Sequence, residues 1–497
     1  MWFAKSAKSL NGKPGGNEMI TFLIAMALLI AGYFVYGKIV EKNFGPDDRI
    51  TPARAVNDGV DFVPLPLWKA FLIQMLNIAG TGPIFGALSG ALFGPIVYLW
   101  IVFGCILGGS VHDYMCGMLS ERNNGASLSE LTGKYLGNGM LRIMRVFSVL
   151  LLVACGTVMT TGPAELLGQL TQGKISVTIW LCVITLYYFI ATFVPIDKVI
   201  GKLYPLFGIC LIAMALGISG SLLFSGKFVM PELWSNFANM HANQTAVWPF
   251  MFVTVACGAI SGFHATQSPM MARCIQSEKQ GHIVFYGAMI TEGIIALIWA
   301  AAGVSCYESS QALLAAGGGC SAVVYAICQT TLGKVGSVLA LIGVIVCPIS
   351  SGDTSYRAAR LTLADWFKLD QSRIKNRILL TVPLLAAGVL LCNLDYSVVW
   401  RYFSWSNQTI AMIVLWMATV YLMQEKKNYL LTMLPAAVMS AVSATYFVAA
   451  PECLGLLWNS MGVQYETYYP IGIAVGLLTA ALFTAIALKK KGKWQAL

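Results

Sequence analysis

Two stretches of this chain put helix breakers beside polar side chains in the middle of apolar runs. One is Gly80-Thr81-Gly82-Pro83; the other runs from Gly258 to Pro269 and holds Ser261, Gly262, His264, Thr266, Gln267 and Ser268. A bilayer core offers no water to freed N–H and C=O groups, so such breaks persist only where protein buries them or where they line a cavity for a polar ligand. At the first, Ile78-Ala79-Gly80 closes one half-helix and Thr81-Gly82-Pro83 opens the next, with proline suited to a first turn that does not need its N–H. The new N-terminus offers free N–H groups and the positive end of a helix dipole, which is chemistry for a carboxylate, with Thr81 Oγ as an added ligand. In the second stretch Ser268-Pro269 repeats the cap-then-proline order, so two half-helix N-termini can converge on one solute, while His264 and Gln267 supply specificity. Two plainer readings stand beside these. Gly80, Gly82, Gly86, Gly90 and Gly94 have the small-residue spacing of a packing seam, and His264 can simply bond a neighbouring carbonyl.

Ionisable residues inside or at the edge of apolar runs are functional candidates by default, and here they are His112-Asp113, Glu165, Glu292 and Asp353. Asp353 lies in Ser350-Ser351-Gly352-Asp353-Thr354, after Pro348. Ser351 and Thr354 with the Asp353 carboxylate suit Na⁺, or the carboxylate cycles a proton; an i,i+4 pair with Arg357 is the structural alternative. Histidine as a residue type titrates near neutral pH, and a neighbouring carboxylate can tune it, so His112-Asp113 is a candidate proton relay or gate; a cytoplasmic-end ion pair of this dyad with Arg122 or Arg145 explains it almost as well. Ser404, Ser406, Asn407, Gln408 and Thr409 carry polarity into another apolar run, where Asn407 is the residue expected to line a solute path.

The elements that must position these groups are membrane helices. Of 497 residues 57% are hydrophobic and 11% charged, against about 25% charged in soluble domains. Apolar runs of spanning length fall near 20–37, 68–93, 95–119, 143–167, 176–195, 202–224, 247–272, 284–306, 336–356, 378–393, 400–423, 430–450 and 469–488, which predicts an all-α integral membrane protein of about 13 helices. With the loop after the first helix cytoplasmic, 25 of the 32 Lys and Arg residues fall on one side, which puts the N-terminus outside and the C-terminus inside. Only Lys5, Lys8 and Lys13 concentrate on the other side. The two broken helices are the second and the seventh, so they cross in opposite directions, as in a five-plus-five inverted repeat of LeuT-like form. Residues 68–226 and 227–424 are then the two halves, after a segment 1–67 with one helix and before a segment 425–497 with two helices and a basic tail. The longest loops, 38–67, 120–142 and 357–377, are cytoplasmic in this reading. The run from Met19 is followed by no small-residue cleavage site, so a retained helix is expected, with Met19 an alternative start.

Composition also excludes functions. The net charge of +10 is not gathered on a soluble face, so no nucleic-acid partner is implied. The 13 cysteines form no C-x-x-C pair or Cys/His cluster, so no metal centre is read, and Cys306 and Cys320 are the one pair that an external loop can bring together. No nucleophile–base constellation points to an enzyme.

The same stretches resemble the carbon starvation protein A family of bacterial inner-membrane transporters. The matching words are Ala55-Val56-Asn57-Asp58-Gly59-Val60-Asp61-Phe62-Val63-Pro64, Ala79-Gly80-Thr81-Gly82-Pro83-Ile84, Val111-His112-Asp113-Tyr114, the run from Gly258 to Pro269, and Ser351-Gly352-Asp353-Thr354. The resemblance runs from about residue 20 to residue 425 and implies kinship with the amino acid-polyamine-organocation superfamily. It implies uptake of pyruvate or short peptides driven by an ion gradient. Longer family members carry a histidine pair where Ile73 and Gln74 stand here, and they extend further at the C-terminal end. The expectation is a symporter for a small carboxylate-bearing nutrient, working by alternating access with H⁺ or Na⁺ as coupling ion, no organic cofactor, and membrane lipids as surroundings. Gly80, Thr81, Gly82, Pro83, Ser261, Gly262, His264, Gln267 and Asn407 are its expected solute ligands, and His112, Asp113, Ser351, Asp353 and Thr354 its ion-coupling residues. A gated channel or a membrane nutrient sensor is the alternative, though the tail after Leu488 has no room for a signalling domain.

Overall fold

In hydrocarbon a backbone must satisfy its own polar groups, and this chain does so with helices alone among the described residues. The computed structural model describes residues 19–59, 62–193, 196–316, 319–371 and 373–494. Lys5, Lys8 and Lys13 lie outside the described residues. Among the described residues, ten helices are long and apolar enough to cross a membrane, and the pair Leu67–Ala79 and Gly82–Ala91, bent by 53°, brings the number to 11. Val177–Ala191 is apolar but shorter, and the pair Val247–Thr254 and Gly262–Ala272 is the second interrupted stretch. Helices thus stand at every expected span, while fewer than the expected 13 meet the length and composition of a crossing.

Burial sorts these helices into a centre and a rim. Val97–Arg122, Glu278–Ser305 and Tyr396–Gln424 are each 83% buried over their apolar window, whereas Tyr465–Gly492 is 17% buried. The outermost helix keeps Leu477, Leu478 and Leu482 exposed, a side chain chemistry that hydrocarbon accepts without cost. The polar residues of interest sit on the central helices and on the two broken ones.

Three local expectations need correction. The first helix continues to Phe44 and Gly336–Phe367 runs past residue 356, so the loops at 38–67 and 357–377 are shorter than the hydropathy suggested; the charged ends of both helices keep helical hydrogen bonding beyond the apolar stretch. The segment 120–142 contains a helix, Leu128–Leu136, opened by a capping box between Ser127 and Glu130. A further helical leg begins at Gly319 and joins the Gly336–Phe367 span across Gly333, whose φ of 66° breaks the run. Cys306 and Cys320 are both free; Cys320 Sγ lies 3.5 Å from Ser89 Oγ instead.

The end of the molecule richest in Lys and Arg is tied together by Glu278. Its buried carboxylate accepts from Arg122 Nε at 2.7 Å and from Asp47 N at 2.7 Å, with Arg49 Nε at 3.4 Å. Arg122 also donates to Tyr421 OH at 2.6 Å and to Gly45 O at 2.8 Å, so one guanidinium joins four separate segments. Nearby, bonds from Arg49 hold the exposed Asp47 carboxyl below the usual carboxylate range. Removing one partner of a buried pair strands the other charge. Glu278→Gln is therefore expected to lower stability by about 3 kcal/mol, read as a lower midpoint of thermal unfolding in detergent; an unchanged midpoint would show that this knot holds nothing.

Candidate functional site

Gly80 ends the first half-helix in a backbone conformation (φ 38°, ψ −142°) that side chains with a Cβ avoid, and the chain resumes helical turns at Gly82 with Pro83 in the first of them. Carbonyls freed at the end of Leu67–Ala79 are taken up by Ser351, whose Oγ lies 3.2 Å from Leu76 O and 3.3 Å from Asn77 O. On the other side of the break, Thr81 N and Oγ1 both point to Met159 Sδ, at 3.3 and 3.4 Å. A thioether is a weak acceptor, so the N-terminal donors at this break are held by a partner that a carboxylate outcompetes.

The glycines at this break are also a seam, and the two readings turn out to be one feature. A Cβ on Gly82 would overlap Cβ and Sγ of Cys257, one on Gly86 would stand 3.1 Å from Thr254 O, and one on Gly90 would strike Val255. Cys257 and Val255 lie in the second break. The small residues therefore bring the two interrupted helices into direct contact.

The second break lies earlier than the proline suggested. Val247–Thr254 ends, Val255 to Ser261 is irregular, and a new helix begins at Gly262, which puts Ser268 and Pro269 inside Gly262–Ala272. Ser268 Oγ donates to His264 O at 3.0 Å and caps nothing. The cap comes from another helix: Asn407 Oδ1 accepts from Phe263 N at 2.8 Å and from Ser261 Oγ at 3.2 Å. Side chains also serve the carbonyls before the break, with Trp100 Nε1 donating to Val255 O at 3.2 Å and Gln408 Nε2 to Phe252 O at 2.9 Å. Asn407→Ala would leave the Phe263 N–H buried without a partner, at a cost of about 1–3 kcal/mol. Asn407→Asp keeps the acceptor and is expected to recover most of that loss; equal unfolding midpoints for both variants would rule out the cap.

Behind the second half-helix, side chains from three spans meet with no exposed surface. Asp113 Oδ1 lies 2.7 Å from His112 Nδ1, Asp113 Oδ2 lies 2.9 Å from His264 Nδ1, and His264 Nε2 faces Glu292 Oε2 at 3.3 Å. The structural alternative for His112-Asp113, an ion pair with Arg122 or Arg145, does not form: Arg122 is committed to Glu278, and the partners of Asp113 are two imidazoles. The plain reading of His264 as a residue bonded only to a backbone carbonyl is corrected likewise. An ionised Asp113 can only accept, so beside it each ring carries a proton on Nδ1, which leaves Nε2 as the second nitrogen of both rings. Among the described residues no group of three or more His, Cys, Asp or Glu converges in metal-ligating geometry.

The other expected ion residues are apart from this cluster in their bonding. Asp353 Oδ2 is 3.7 Å from Arg357 Nη2, the i,i+4 alternative, and both side chains are buried. Thr354 Oγ1 donates to Ser351 O at 3.0 Å. Gln267 Nε2 donates to Thr266 Oγ1 at 3.0 Å, while its Oε1 has no hydrogen-bond partner. Sequence reading passed over Met159 and Cys257, which look like ordinary apolar filling until the breaks are brought together. It named Gln74 only as a departure from the histidine pair of longer family members and did not name Asn77 on the same half-helix: Gln74 is fully buried with both amide atoms unpartnered, and Asn77 Oδ1 is unpartnered too. Two amides three residues apart in an apolar helix were a signal that could have been read.

An open cleft of ≈ 570 Å³ at the basic end is lined by Arg122, Asn123, Glu130, Lys134, Arg273 and Asp365. A smaller cavity of ≈ 50 Å³ shares Arg273 and Asp365 with it and reaches Thr266 and Pro269. The smaller cavity thus reaches the second half-helix at Thr266, two residues from His264.

Comparison with known proteins agrees with this architecture. The family model described as "Carbon starvation protein CstA" matches residues 17–185 and 170–316. An uncharacterized membrane protein of Haemophilus influenzae is 42% identical over 354 residues, covering 61% of this chain and 95% of that one. The peptide transporter CstA of Bacillus subtilis is 27% identical over 352 residues, 58% of each chain, and the pyruvate/proton symporter BtsT of Escherichia coli is 26% identical over 311 residues, 50% of this chain and 43% of that one. The chain therefore matches about half the length of these named transporters. Among solved structures, a manganese transporter of Eremococcus coleocola has a TM-score of 0.54 at 13% identity, covering 88% of this chain and 99% of that one. A Na⁺-coupled sialic acid symporter has a TM-score of 0.52 at 13% identity, covering 95% and 98%. These two share the fold. With the family match running through both helix breaks and all four members of the buried cluster, the chain belongs to the carbon starvation protein CstA family.

Proposed function

We propose that this protein is a secondary active transporter that imports a small carboxylate-bearing nutrient, such as pyruvate, an amino acid or a short peptide, in symport with protons. The observation that carries the reading is the meeting of the two breaks: Gly82 closes on Cys257, and His264, in the first turn beyond the second break, is bonded to buried Asp113. A solute carboxylate takes the Thr81 N–H and Oγ1–H from Met159, with Gly80, Gly82 and Pro83 shaping the turn. Ser261, Gly262, His264 and Gln267 face it from the second break, and Asn407 from the Tyr396–Gln424 span. Solute binding at this contact moves Cys257 and Ser261 and so reaches His264, which links it to the coupling residues Asp113 and His112. The names of two relatives, a peptide transporter and a pyruvate/proton symporter, support this solute class and this ion.

In this reading residues 68–226 and 227–424 are inverted halves that rock around the breaks, and residues 1–67 and 425–497 flank them. The Lys- and Arg-rich end faces the cytoplasm of a bacterial inner membrane, with the N-terminus outside and the C-terminus inside. The cleft at Arg122, Lys134 and Arg273 is then the release route. A Na⁺-coupled version rests on one observation: Ser351 Oγ lies beside the Leu76 and Asn77 carbonyls, an all-oxygen set with Thr354 nearby, of the kind that half-helix C-termini offer to Na⁺. Asp353 stays with Arg357 in both versions. Counterflow in proteoliposomes preloaded with pyruvate, alanine or a dipeptide tests the solute class: one of them should trap external label, and trapping of none would overturn the reading.

A further inference from the structure

Glu292 belongs to the buried cluster, yet the account above gives it no role. It is fully buried on the Glu278–Ser305 span, and neither carboxyl oxygen makes a hydrogen bond. Its nearest ionisable neighbour is His264, whose Nε2 stands 3.3 Å from Glu292 Oε2, slightly beyond an ordinary N–H···O bond. The groups that face it from the elements packed around it are His264 on the second half-helix, Asp113 and the Cys105 thiol on the Val97–Arg122 span, and the Cys347 thiol on the Gly336–Phe367 span. None of these is a lysine or arginine.

The proton count follows from the tautomers. Asp113 accepts from Nδ1 of both histidines, so both rings carry their N–H on that side. Neutral His264 then presents a lone pair on Nε2 to Glu292. If Glu292 were a carboxylate, two lone pairs would face each other across 3.3 Å in a site without water access, which is repulsive. One proton on that edge removes the conflict, either as the carboxylic acid donating to Nε2 or as an imidazolium donating to the carboxylate. No other atom is consumed or released: the proton leaves Oε2, bonds to Nε2, and can return.

We infer that Glu292 is the carboxyl that binds the transported proton, exchanging it with His264 Nε2 while Asp113 holds the His264 ring in place. This rests on the symport reading and adds the proton's own site to it. His264 is two residues from Gly262, where the Asn407-capped half-helix begins, and beside Cys257, which touches the first break at Gly82. Loss of the proton turns an attraction across the His264–Glu292 edge into a repulsion, and the half-helix that moves is the one that faces the solute.

Two measurements on the full chain test this separately. Infrared difference spectra of the detergent-purified protein across a pH titration should show the carbonyl stretch of a protonated carboxyl, absent in Glu292→Gln and shifted in frequency in Glu292→Asp. In proteoliposomes, Glu292→Gln should lose pH-gradient-driven accumulation of labelled pyruvate or dipeptide by more than about tenfold while counterflow, which needs no net proton movement, stays within about twofold of wild type. A protonated-carboxyl band that persists in Glu292→Gln, or accumulation that persists, would overturn the assignment. Should Glu292→Gln fail to fold, the frequency shift in Glu292→Asp decides alone: an unshifted band overturns it. A wild-type band that titrates and vanishes with Glu292, in a protein that accumulates no solute, would uphold the proton site and overturn the symport reading.

Discussion

Gly82→Ala is expected to abolish transport, and Gly82→Ala combined with Cys257→Gly to restore much of it. The added Cβ would coincide with Cβ and Sγ of Cys257, both buried, and the next atom behind them is the Cys257 Cα at 3.7 Å. Neither partner is a flexible chain end, so the breaks must separate. Overpacking of this kind costs about 1–3 kcal/mol, while a shift of about 1 Å in a positioned site costs on the order of 100-fold in rate. The effect on counterflow should therefore far exceed the effect on the unfolding midpoint. Taking the side chain from Cys257 clears the space, and a glycine suits the irregular segment from Val255 to Ser261. Recovery to within about tenfold of wild type in the double variant, against a loss of about 100-fold in Gly82→Ala, is the expected cycle. Equal loss in single and double variants would mean that the contact between the breaks is unrelated to transport.

Asp113→Asn should remove proton-driven accumulation and also weaken the fold. The carboxylate receives two ring N–H groups at 2.7 and 2.9 Å in a site with no exposed surface. Asparagine keeps one acceptor oxygen and puts an amide donor against the second imidazole N–H. One histidine must then change tautomer or lose its bond. Breaking a buried charged network of this type costs about 3–5 kcal/mol, visible as a lower unfolding midpoint in detergent. If instead the dyad were a surface-type pair with an arginine, the change would be within about 1 kcal/mol and coupling would survive. Intact accumulation in a folded Asp113→Asn protein would take the cluster out of the coupling path.

Local sequence was enough to find the first break, because Gly80, Gly82 and Pro83 each act within one turn: a positive φ, a missing Cβ and a missing N–H. The second break was found but misplaced by about seven residues, since Pro269 is conspicuous and the true cap, Asn407, is 144 residues away from the N–H it binds. A proline is tolerated inside Gly262–Ala272 because neighbouring helices stabilise the turn around it. His112 and Asp113 were recognised as chemistry, but their partner was sought among cations close in sequence, when His264 stands 151 residues on. Tertiary contact, which no periodicity encodes, joined two separately suspected groups into one cluster. Ser351 was expected to be an ion ligand, and its nearness to the carbonyl end of the first half-helix was equally invisible. Asp353 illustrates the opposite case, in which the i,i+4 rule alone named the pair found with Arg357.

The central claim is that solute bound at the two breaks moves together with a proton. Its most direct test is accumulation of labelled pyruvate and of a labelled dipeptide in proteoliposomes, measured under an inward proton gradient, under an inward Na⁺ gradient and under neither, with internal pH followed by a trapped dye. One solute should accumulate above its external concentration only with the proton gradient, and its addition at zero gradient should acidify the lumen. Accumulation that follows the Na⁺ gradient alone, or solute movement that leaves internal pH unchanged, would contradict it.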